Sequence, residues 1–206
     1  MPLQNRVTPM GNIVAAPERG FFTGNRGIIH DAATRTLFNR RWVSRAWLIC
    51  TLHWRGIRRP VMGPGSWTEL FFLDEATALA AGHRPCFYCR RTEAEAFRQA
   101  FSPDRPKASQ IDTVLHAERL VGRCKHRRPI DDWRSLPDGA MVAQADQSYL
   151  VRRGEALPWS AAGYGPPRSL TNAALLLTPP STVRALRAGY GPLLHSSANA
   201  SKAVRP

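Results

Sequence analysis

Two cysteines separated by two residues, Cys86 and Cys89, carry the clearest chemistry in this 206-residue chain. A Cys-x-x-Cys turn holds two thiols close together, as a zinc knuckle requires. Thiolate sulfur is a preferred zinc ligand, and a structural zinc site usually has four protein ligands. The spacing therefore predicts that Cys86 and Cys89 bind zinc and that further ligands come from elsewhere in the chain.

A second short motif, Cys124-Lys-His126, offers candidates for the two missing ligands. If both residues bind, the site has the Cys₃His set of many structural zinc sites. One intervening residue is a tighter spacing than usual, so an alternative is that only one of them binds and His116 completes the site. A further alternative is that residues 123–130 form a basic loop without any metal.

A polar cluster on a predicted helix over residues 109–121 indicates a different chemistry. Asp112 and His116 are four residues apart, so the carboxylate can hydrogen-bond to the imidazole and orient it for metal binding or proton transfer. Glu118 falls within the apolar stripe of this helix, where a carboxylate needs a partner. These three are candidate catalytic residues, with an ordinary surface pair as the alternative. The residues predicted to form the buried stripe are Ile111, Val114, Leu115 and Val121.

A strand and two helices are predicted around the Cys-x-x-Cys turn. Residues 68–72 carry the β-branched and aromatic side chains typical of a strand. Asp74 is placed to cap a helix over residues 75–81, and Gly82 is placed to end it. Thr92, with a glutamate three residues later, has the spacing of a capping box for the second helix.

The segment FFLDEATALAAGHRPCFYC, which ends at Cys89, resembles the end of the zinc-binding module at the N-terminus of the Ada DNA-repair protein. There too a strand and an alanine-rich helix lead into a Gly-x-Arg-Pro-Cys-x-x-Cys knuckle. The resemblance covers residues 69–91, and it implies zinc ligation by Cys86 and Cys89 and a relation to DNA. The Ada module has a second Cys pair upstream that includes its methyl acceptor. Residues 51–85 contain no cysteine here, so the resemblance does not imply methyl transfer.

Positive charge is concentrated in the first sixty residues, which contain ten basic and two acidic residues in a chain of net charge +14. Guanidinium groups beside aromatic rings suit an unpaired nucleic-acid strand, DNA or RNA, because they contact phosphates while the rings stack on bases. A rim of snorkelling arginines would give the same pattern, and a GC-rich genome would also raise the arginine content. The predicted nucleic-acid contacts are Arg26, Arg40, Arg41, Trp42, Arg45, Arg55, Arg58 and Arg59.

Short elements are predicted to present these basic residues. Residues 31–42 are predicted to form a helix, and residues 45–54 and 57–62 a hairpin with Arg55 at its tip. Cys50 lies in the first strand of that hairpin, where a thiol is typically a buried core residue.

The C-terminal third alternates short apolar stretches with turn signals such as Leu136-Pro-Asp-Gly139. This pattern predicts a small β-rich subdomain over residues 131–206, with a hairpin formed by residues 140–144 and 148–152 and a short C-terminal helix. Residues 1–130 are predicted to form an Ada-like domain of small antiparallel hairpins and short helices around the knuckle. The chain is therefore assigned to the α+β class.

Hydropathy predicts a chain without a membrane span. No apolar run reaches the roughly 18 residues that a spanning helix needs. The first twelve residues also lack the apolar core of a signal peptide. A cytoplasmic location is predicted.

Three classes of function remain open from the sequence. The first is a zinc-stabilised nucleic-acid-binding protein, related to DNA and without methyl-acceptor activity. The second is a metal-dependent hydrolase, such as a nuclease, that uses His116 with Asp112 or Glu118 to activate water. The third is a metal-free structural or partner-binding protein. No His-Glu-x-x-His, Ser/His/Asp or phosphate-loop signature in the sequence separates these classes.

Overall fold

The computed structural model describes residues 1–56 and 60–199. Within these residues the chain forms four α-helices and sixteen short strands, and most strand pairs are antiparallel. The predicted α+β class, with small hairpins beside short helices and a β-rich C-terminal region, is confirmed.

A six-stranded sheet forms the N-terminal half. Its strand order is β2-β1-β7-β3-β6-β8, with parallel pairing only between β1 and β7 and between β6 and β8 among the described strands. The strands of this half are β1 (Gln4–Val7), β2 (Ile13–Ala15), β3 (Phe22–Asn25), β4 (His30–Asp31), β5 (Thr36–Leu37), β6 (Leu48–Thr51), β7 (Leu70–Phe72) and β8 (Arg84–Pro85); β4 and β5 form a separate two-stranded hairpin.

One face of this sheet packs on three helices, α1 (Glu75–Ala80), α2 (Arg91–Phe101) and α3 (Ala108–Arg119). Successive side chains of a strand point to opposite faces, so Ile49 lies in this core while Leu48 and Cys50 point to the other face. The helices contribute Leu79, Phe97, Ile111 and Leu115 to the same core. The opposite face of the sheet therefore carries Cys50.

A second six-stranded sheet forms the C-terminal half, in the order β11-β16-β12-β13-β14-β15. The remaining elements are β9 (Leu120–Val121), β10 (Cys124–Lys125), β11 (Arg128–Ile130), β12 (Met141–Gln144), β13 (Gln147–Arg152), β14 (Glu155–Ser160), β15 (Gly163–Tyr164), β16 (Ala174–Leu176) and α4 (Pro180–Arg187). The predicted hairpin is the β12–β13 pair, and the predicted C-terminal helix is α4. Ala185, Leu186 and Tyr190 join the core of the first sheet, so residues 1–130 and 131–199 share one hydrophobic cluster.

The predicted helix α1 forms as the sequence indicates. Asp74 caps it by accepting a hydrogen bond from the Thr77 backbone N–H at 2.9 Å. Gly82 has a φ of +91°, and a Cβ there would lie 2.6 Å from a side-chain carbon of Arg119. Both its conformation and its packing therefore require glycine.

The helix predicted over residues 31–42 is wrong, because residues 30–37 form the β4–β5 hairpin. Asp31 does cap local backbone groups: its carboxylate accepts hydrogen bonds from the N–H groups of Ala33 and Thr34. These bonds close a turn instead of starting a helix, and Arg35 has a φ of 54° in that turn. An aspartate at such a position can cap either a helix or a turn, so the residue alone does not distinguish the two structures.

Two further local predictions fail in whole or in part, and a third lies partly outside the described residues. The Thr92 capping box does not form, since α2 begins at Arg91 without a side-chain cap. In α3, Ile111 and Leu115 are buried as predicted, but Val114 is exposed, and Val121 lies beyond the helix, in an exposed position of the next strand. The strand predicted over residues 57–62 lies partly outside the described residues, and residues 60–62 form no strand.

A buried ion pair joins α1 to the start of α2 and to residues 190–193. Both oxygens of Glu75 accept hydrogen bonds from Arg90, at 2.9 and 3.1 Å. The same carboxylate accepts hydrogen bonds from the Tyr190 hydroxyl at 2.5 Å and the Leu193 backbone N–H at 3.0 Å. Four donors therefore satisfy a carboxylate that is fully buried.

No helix among residues 1–56 and 60–199 is long and apolar enough to cross a bilayer.

Candidate metal centre

Three cysteine sulfurs come together beside the first sheet. The Sγ atoms of Cys50, Cys86 and Cys89 all lie within 4.8 Å of one another. Cys86 and Cys89 are the two residues of the predicted knuckle, and the third sulfur belongs to Cys50. The structure therefore provides a three-thiol site where the Cys-x-x-Cys spacing predicted two ligands.

Parallel pairing of β6 with β8 brings the third sulfur to the knuckle. Ile49 is opposite Pro85 in this pair, and the Cys86 backbone N–H donates a hydrogen bond to the Ile49 carbonyl at 3.0 Å. The next residue on β6 is Cys50, which points away from the helical core. The Arg90 N–H donates to the Cys86 carbonyl at 3.0 Å, so the turn is closed and α2 begins immediately after it.

The protonation of the three sulfurs fits a cation site. Hydrogen bonds from the thiols of Cys50 and Cys89, and from backbone N–H groups, lower the pKa of Cys86. The thiol of Cys50 has a raised pKa, chiefly because it donates to the neighbouring sulfurs and because it is buried. The cluster thus stabilises a thiolate, and a divalent cation would displace the remaining protons when it binds.

The donor set suits zinc, but it contains only three side chains. Among the described residues, no histidine, aspartate, glutamate or fourth cysteine places a ligand atom in this group. The remaining residues, 57–59 and 200–206, contain none of these residue types. Three thiolates are a zinc ligand set that leaves one coordination position for water, a backbone group or a bound molecule.

The other predicted metal ligands lie elsewhere. Cys124 is an exposed residue of β10. His126 is partly exposed, and its backbone N–H donates a hydrogen bond to the Arg119 carbonyl at 2.9 Å. Neither belongs to the three-sulfur group. His116, the alternative fourth ligand, lies beside Trp42 with their rings 6.1 Å apart.

The three candidate catalytic residues have separate structural partners. Asp112 is buried and accepts two hydrogen bonds of 2.8 Å from Arg84. Glu118 accepts hydrogen bonds from the backbone N–H and hydroxyl of Ser181, at the start of α4. His116 Nδ1 is 3.0 Å from a guanidinium nitrogen of Arg119. Within the described part of the chain, the predicted Asp112–His116 hydrogen bond does not form.

Arg26 lies in the interior, where a nucleic acid cannot reach it. It is 2 % exposed, and its guanidinium lies 3.8 Å from the centre of the Trp47 ring, as does that of Arg119. Burial lowers the pKa of both guanidinium groups to about 9. His83 Nε2 accepts a hydrogen bond from Arg26 Nε at 3.2 Å, which requires a neutral imidazole.

The fully buried His83 should make the protein sensitive to acid. Burial, together with repulsion from Arg26 and Arg119, holds the pKa of His83 well below its usual 6.5. Below about pH 6.5 the unfolded chain therefore binds a proton that the folded protein does not, and stability falls by up to about 1.4 kcal/mol per pH unit. A His83→Gln variant should show a shallower loss of unfolding free energy between pH 7 and pH 5 in urea titrations. The exposed His53→Gln is the control, and an unchanged slope in His83→Gln would contradict this assignment.

The other predicted nucleic-acid contacts that the structure describes are exposed or partly exposed. Arg40 and Arg45 are exposed, and Arg41 and Trp42 are partly exposed, in the loop of residues 38–46. Arg55 is exposed, with its guanidinium 5.3 Å from the centre of the Trp54 ring. Arg58 and Arg59 lie outside the described residues.

Two segments combine into one positively charged surface. Arg123, in the β9–β10 hairpin, donates a hydrogen bond to the Asn39 carbonyl in the loop of residues 38–46 at 3.1 Å. Residues 38–46 and 120–128 together, here called the basic loop surface, contain seven basic and no acidic residues. The sequence indicated the first segment but not its contact with the second.

A cavity of about 320 Å³ lies beside the three sulfurs. Thr23, Asn25 and Phe71, which share the face of the sheet with Cys50, form part of its lining. Trp54 and Tyr88 also line the cavity, with their rings 5.6 Å apart. The three sulfurs thus border a space that a small molecule or a protruding group can enter.

Comparisons with known proteins identify no relative: no protein-family model, curated protein or solved structure matches the chain. The site is therefore interpreted from its own residues.

Proposed function

We propose that this protein binds one zinc ion through Cys50, Cys86 and Cys89, and that it binds nucleic acid with its basic loop surface. The observation that carries the proposal is the group of three sulfurs within 4.8 Å. Thiolates in this number and proximity are the chemistry of a zinc site. The proposed ligands differ from those predicted from the sequence, because Cys50 takes the place of Cys124 and His126.

The position of the three cysteines supports a structural role for the metal. Cys50 belongs to the first sheet, whereas Cys86 and Cys89 lie between β8 and α2. A metal ion bound by all three joins the sheet to the helix that follows the knuckle. Because such ligands come together only in the folded chain, the free energy of metal binding adds to the free energy of folding.

The charge distribution supports nucleic acid as the partner. Of the seven basic residues of the basic loop surface, Lys125 points inward and donates to the Ala80 carbonyl, and no carboxylate of this surface neutralises the other six. Guanidinium groups bind phosphate with two parallel hydrogen bonds, and Trp42 provides a ring next to them. The resemblance of residues 69–91 to the Ada zinc module favours DNA. The proposal does not include methyl transfer.

Salt dependence tests the nucleic-acid part of the proposal. Substituting Arg40, Arg41 and Arg45 together with glutamine should weaken binding to single-stranded DNA. It should also make the slope of log K against log salt shallower by about 2, since each phosphate contact contributes about 0.7 on a single strand. Affinity is measured by fluorescence anisotropy over a series of salt concentrations.

A matched variant separates a specific surface from overall charge. Arg134, Arg153 and Arg168 are exposed residues outside the basic loop surface, and their triple glutamine variant removes the same charge. This control should keep the wild-type salt slope. Equal losses in the two triple variants would show that binding depends on net charge alone and would contradict the proposed surface.

A further inference from the structure

The cavity beside the three sulfurs has the size and position of a binding site. Its volume of about 320 Å³ falls at the lower end of the range of about 300–1,000 Å³ that small-molecule sites occupy. It lies on the face of the first sheet that the helices do not cover, because its lining residues on β3, β6 and β7 point away from the helical core. A ligand there would contact the sulfur site directly.

Four aromatic residues form part of the lining of this cavity. Trp54, Trp67, Phe71 and Tyr88 all line it, and the rings of Trp54 and Tyr88 are 5.6 Å apart and inclined by 59°. Tyr88 is 67 % exposed, so its ring is accessible from solvent. An accessible aromatic ring can stack on a flat heterocycle whichever base it belongs to.

Polar groups in the lining favour a neutral ligand that both donates and accepts hydrogen bonds. Asn25 lines the cavity, and because its side-chain oxygen accepts a hydrogen bond from the Gly27 N–H, its amide NH₂ group can donate to an acceptor atom of a ligand. The carboxylate of Glu69 accepts hydrogen bonds from the Ser66 hydroxyl and from the Met62 backbone N–H. Its remaining lone pairs can accept a hydrogen bond from an amino group of a ligand. This carboxylate and the thiolates together disfavour a phosphate inside the cavity.

The metal site supplies a further reason for a ligand in this position. Cys50, Cys86 and Cys89 line the same cavity, and no fourth side-chain ligand joins them within the described residues. Zinc sites with three protein ligands leave their fourth position to a small molecule. A ring nitrogen is a donor that zinc accepts in that position.

We infer that this cavity binds a single unpaired nucleobase, which lies against the aromatic lining and fills the fourth coordination position of the metal with one of its donor atoms. The inference rests on the proposed function, because the basic loop surface is what holds the rest of the strand. Exposed Arg55, next to Trp54, is placed to contact the phosphate attached to that base.

Oligonucleotides that lack bases distinguish binding in the cavity from binding to the basic loop surface. One short DNA strand carries a single central base and abasic residues elsewhere, and a second strand is entirely abasic. The wild-type protein should bind the single-base strand about 5- to 150-fold more tightly, because stacking of one base contributes about 1–3 kcal/mol. Trp54→Ala should remove this difference without changing affinity for the abasic strand, and Trp54→Phe should restore part of it.

The visible spectrum of the cobalt-substituted protein reports on coordination. The single-base strand should change the cobalt absorption, and the abasic strand should leave it unchanged. Equal affinity of the wild-type protein for both strands, or an unchanged cobalt spectrum with the single-base strand, would overturn the inference. A spectrum that changes in His53→Ala before any DNA is added would also overturn it, by showing that the protein itself supplies the fourth ligand.

These outcomes distinguish the inference from the proposed function. Salt-sensitive binding of the abasic strand tests the basic loop surface alone. If the abasic strand binds in this way but the single base adds nothing, only the cavity assignment fails. If neither strand binds, nucleic acid is not the partner and both assignments fail.

Discussion

A Cys86→Ser variant is expected to purify without zinc and to unfold at a much lower urea concentration than the wild-type protein. Cys86 contributes one of three sulfurs, and a site with two thiolates holds zinc far more weakly. Structural zinc supplies about 10–16 kcal/mol of apparent binding free energy in zinc-finger peptides. A loss of about 4 kcal/mol or more is therefore expected here, as for other proteins that lose a metal site. Zinc content is measured by elemental analysis and stability by urea unfolding.

Cys50 and Cys124 provide the comparison that decides the ligand set. Cys50→Ser should lose zinc as Cys86→Ser does, because its sulfur completes the group. Cys124→Ser should retain one zinc ion per chain and wild-type stability, because Cys124 is exposed and outside that group. If zinc were lost in Cys124→Ser and kept in Cys50→Ser, the ligand set inferred from the sequence would be the right one.

A Glu75→Gln variant is expected to lose about 3–5 kcal/mol of unfolding free energy. Substitution removes the charge that neutralises buried Arg90, and it leaves a donor where the carboxylate accepted hydrogen bonds from Tyr190 and Leu193. Because Arg90 precedes α2 and follows Cys89, the change should also loosen the knuckle. Urea unfolding in the presence and absence of a zinc chelator measures both effects.

A partly exposed carboxylate on α2 provides the control for this prediction. Glu95 forms ion pairs with Arg98 and Arg105 that are open to solvent. Its glutamine variant should change the unfolding free energy by no more than about 1 kcal/mol. A Glu75→Gln effect as small as that of Glu95→Gln would show that the buried pair contributes little to the native state.

Local signals in the sequence predicted the elements that depend on neighbouring residues. Asp74 and Gly82 mark the two ends of α1 because a side-chain cap and a left-handed glycine act within one turn. The Cys-x-x-Cys spacing likewise places Cys86 and Cys89 together without help from the rest of the fold. The β12–β13 hairpin was predicted from two short apolar stretches close together in the chain, and its connection is one residue shorter than the predicted loop of residues 145–147, because Gln144 pairs with Gln147.

The third sulfur could not be predicted in this way. Cys50 reaches the knuckle only because β6 pairs in parallel with β8, and parallel partners are joined by a long stretch of chain. In the sequence, a cysteine within a short apolar strand has the same pattern whether it is a core residue or a ligand. The position of Cys50 in the strand did contain a signal. Neighbouring residues of a strand point to opposite faces, so Cys50 faces away from the core that contains Ile49.

Long-range partners also explain why the predicted polar cluster on α3 did not form. Helical spacing places Asp112 one turn from His116, but Arg84 on β8 offers the carboxylate two hydrogen bonds in a buried position. Glu118 is similarly bound by Ser181 from the start of α4. Helix periodicity predicts which residues of one helix lie next to each other. It contains no information on the residues from other elements that pack against that helix.

Zinc K-edge X-ray absorption of the wild-type protein tests the central claim most directly, because it counts the sulfur ligands of the bound metal. Three sulfur neighbours at about 2.3 Å and one lighter nitrogen or oxygen neighbour at about 2.0–2.1 Å are predicted. Two or four sulfur neighbours, or the absence of stoichiometric zinc in protein purified without chelators, would contradict a site formed by Cys50, Cys86 and Cys89.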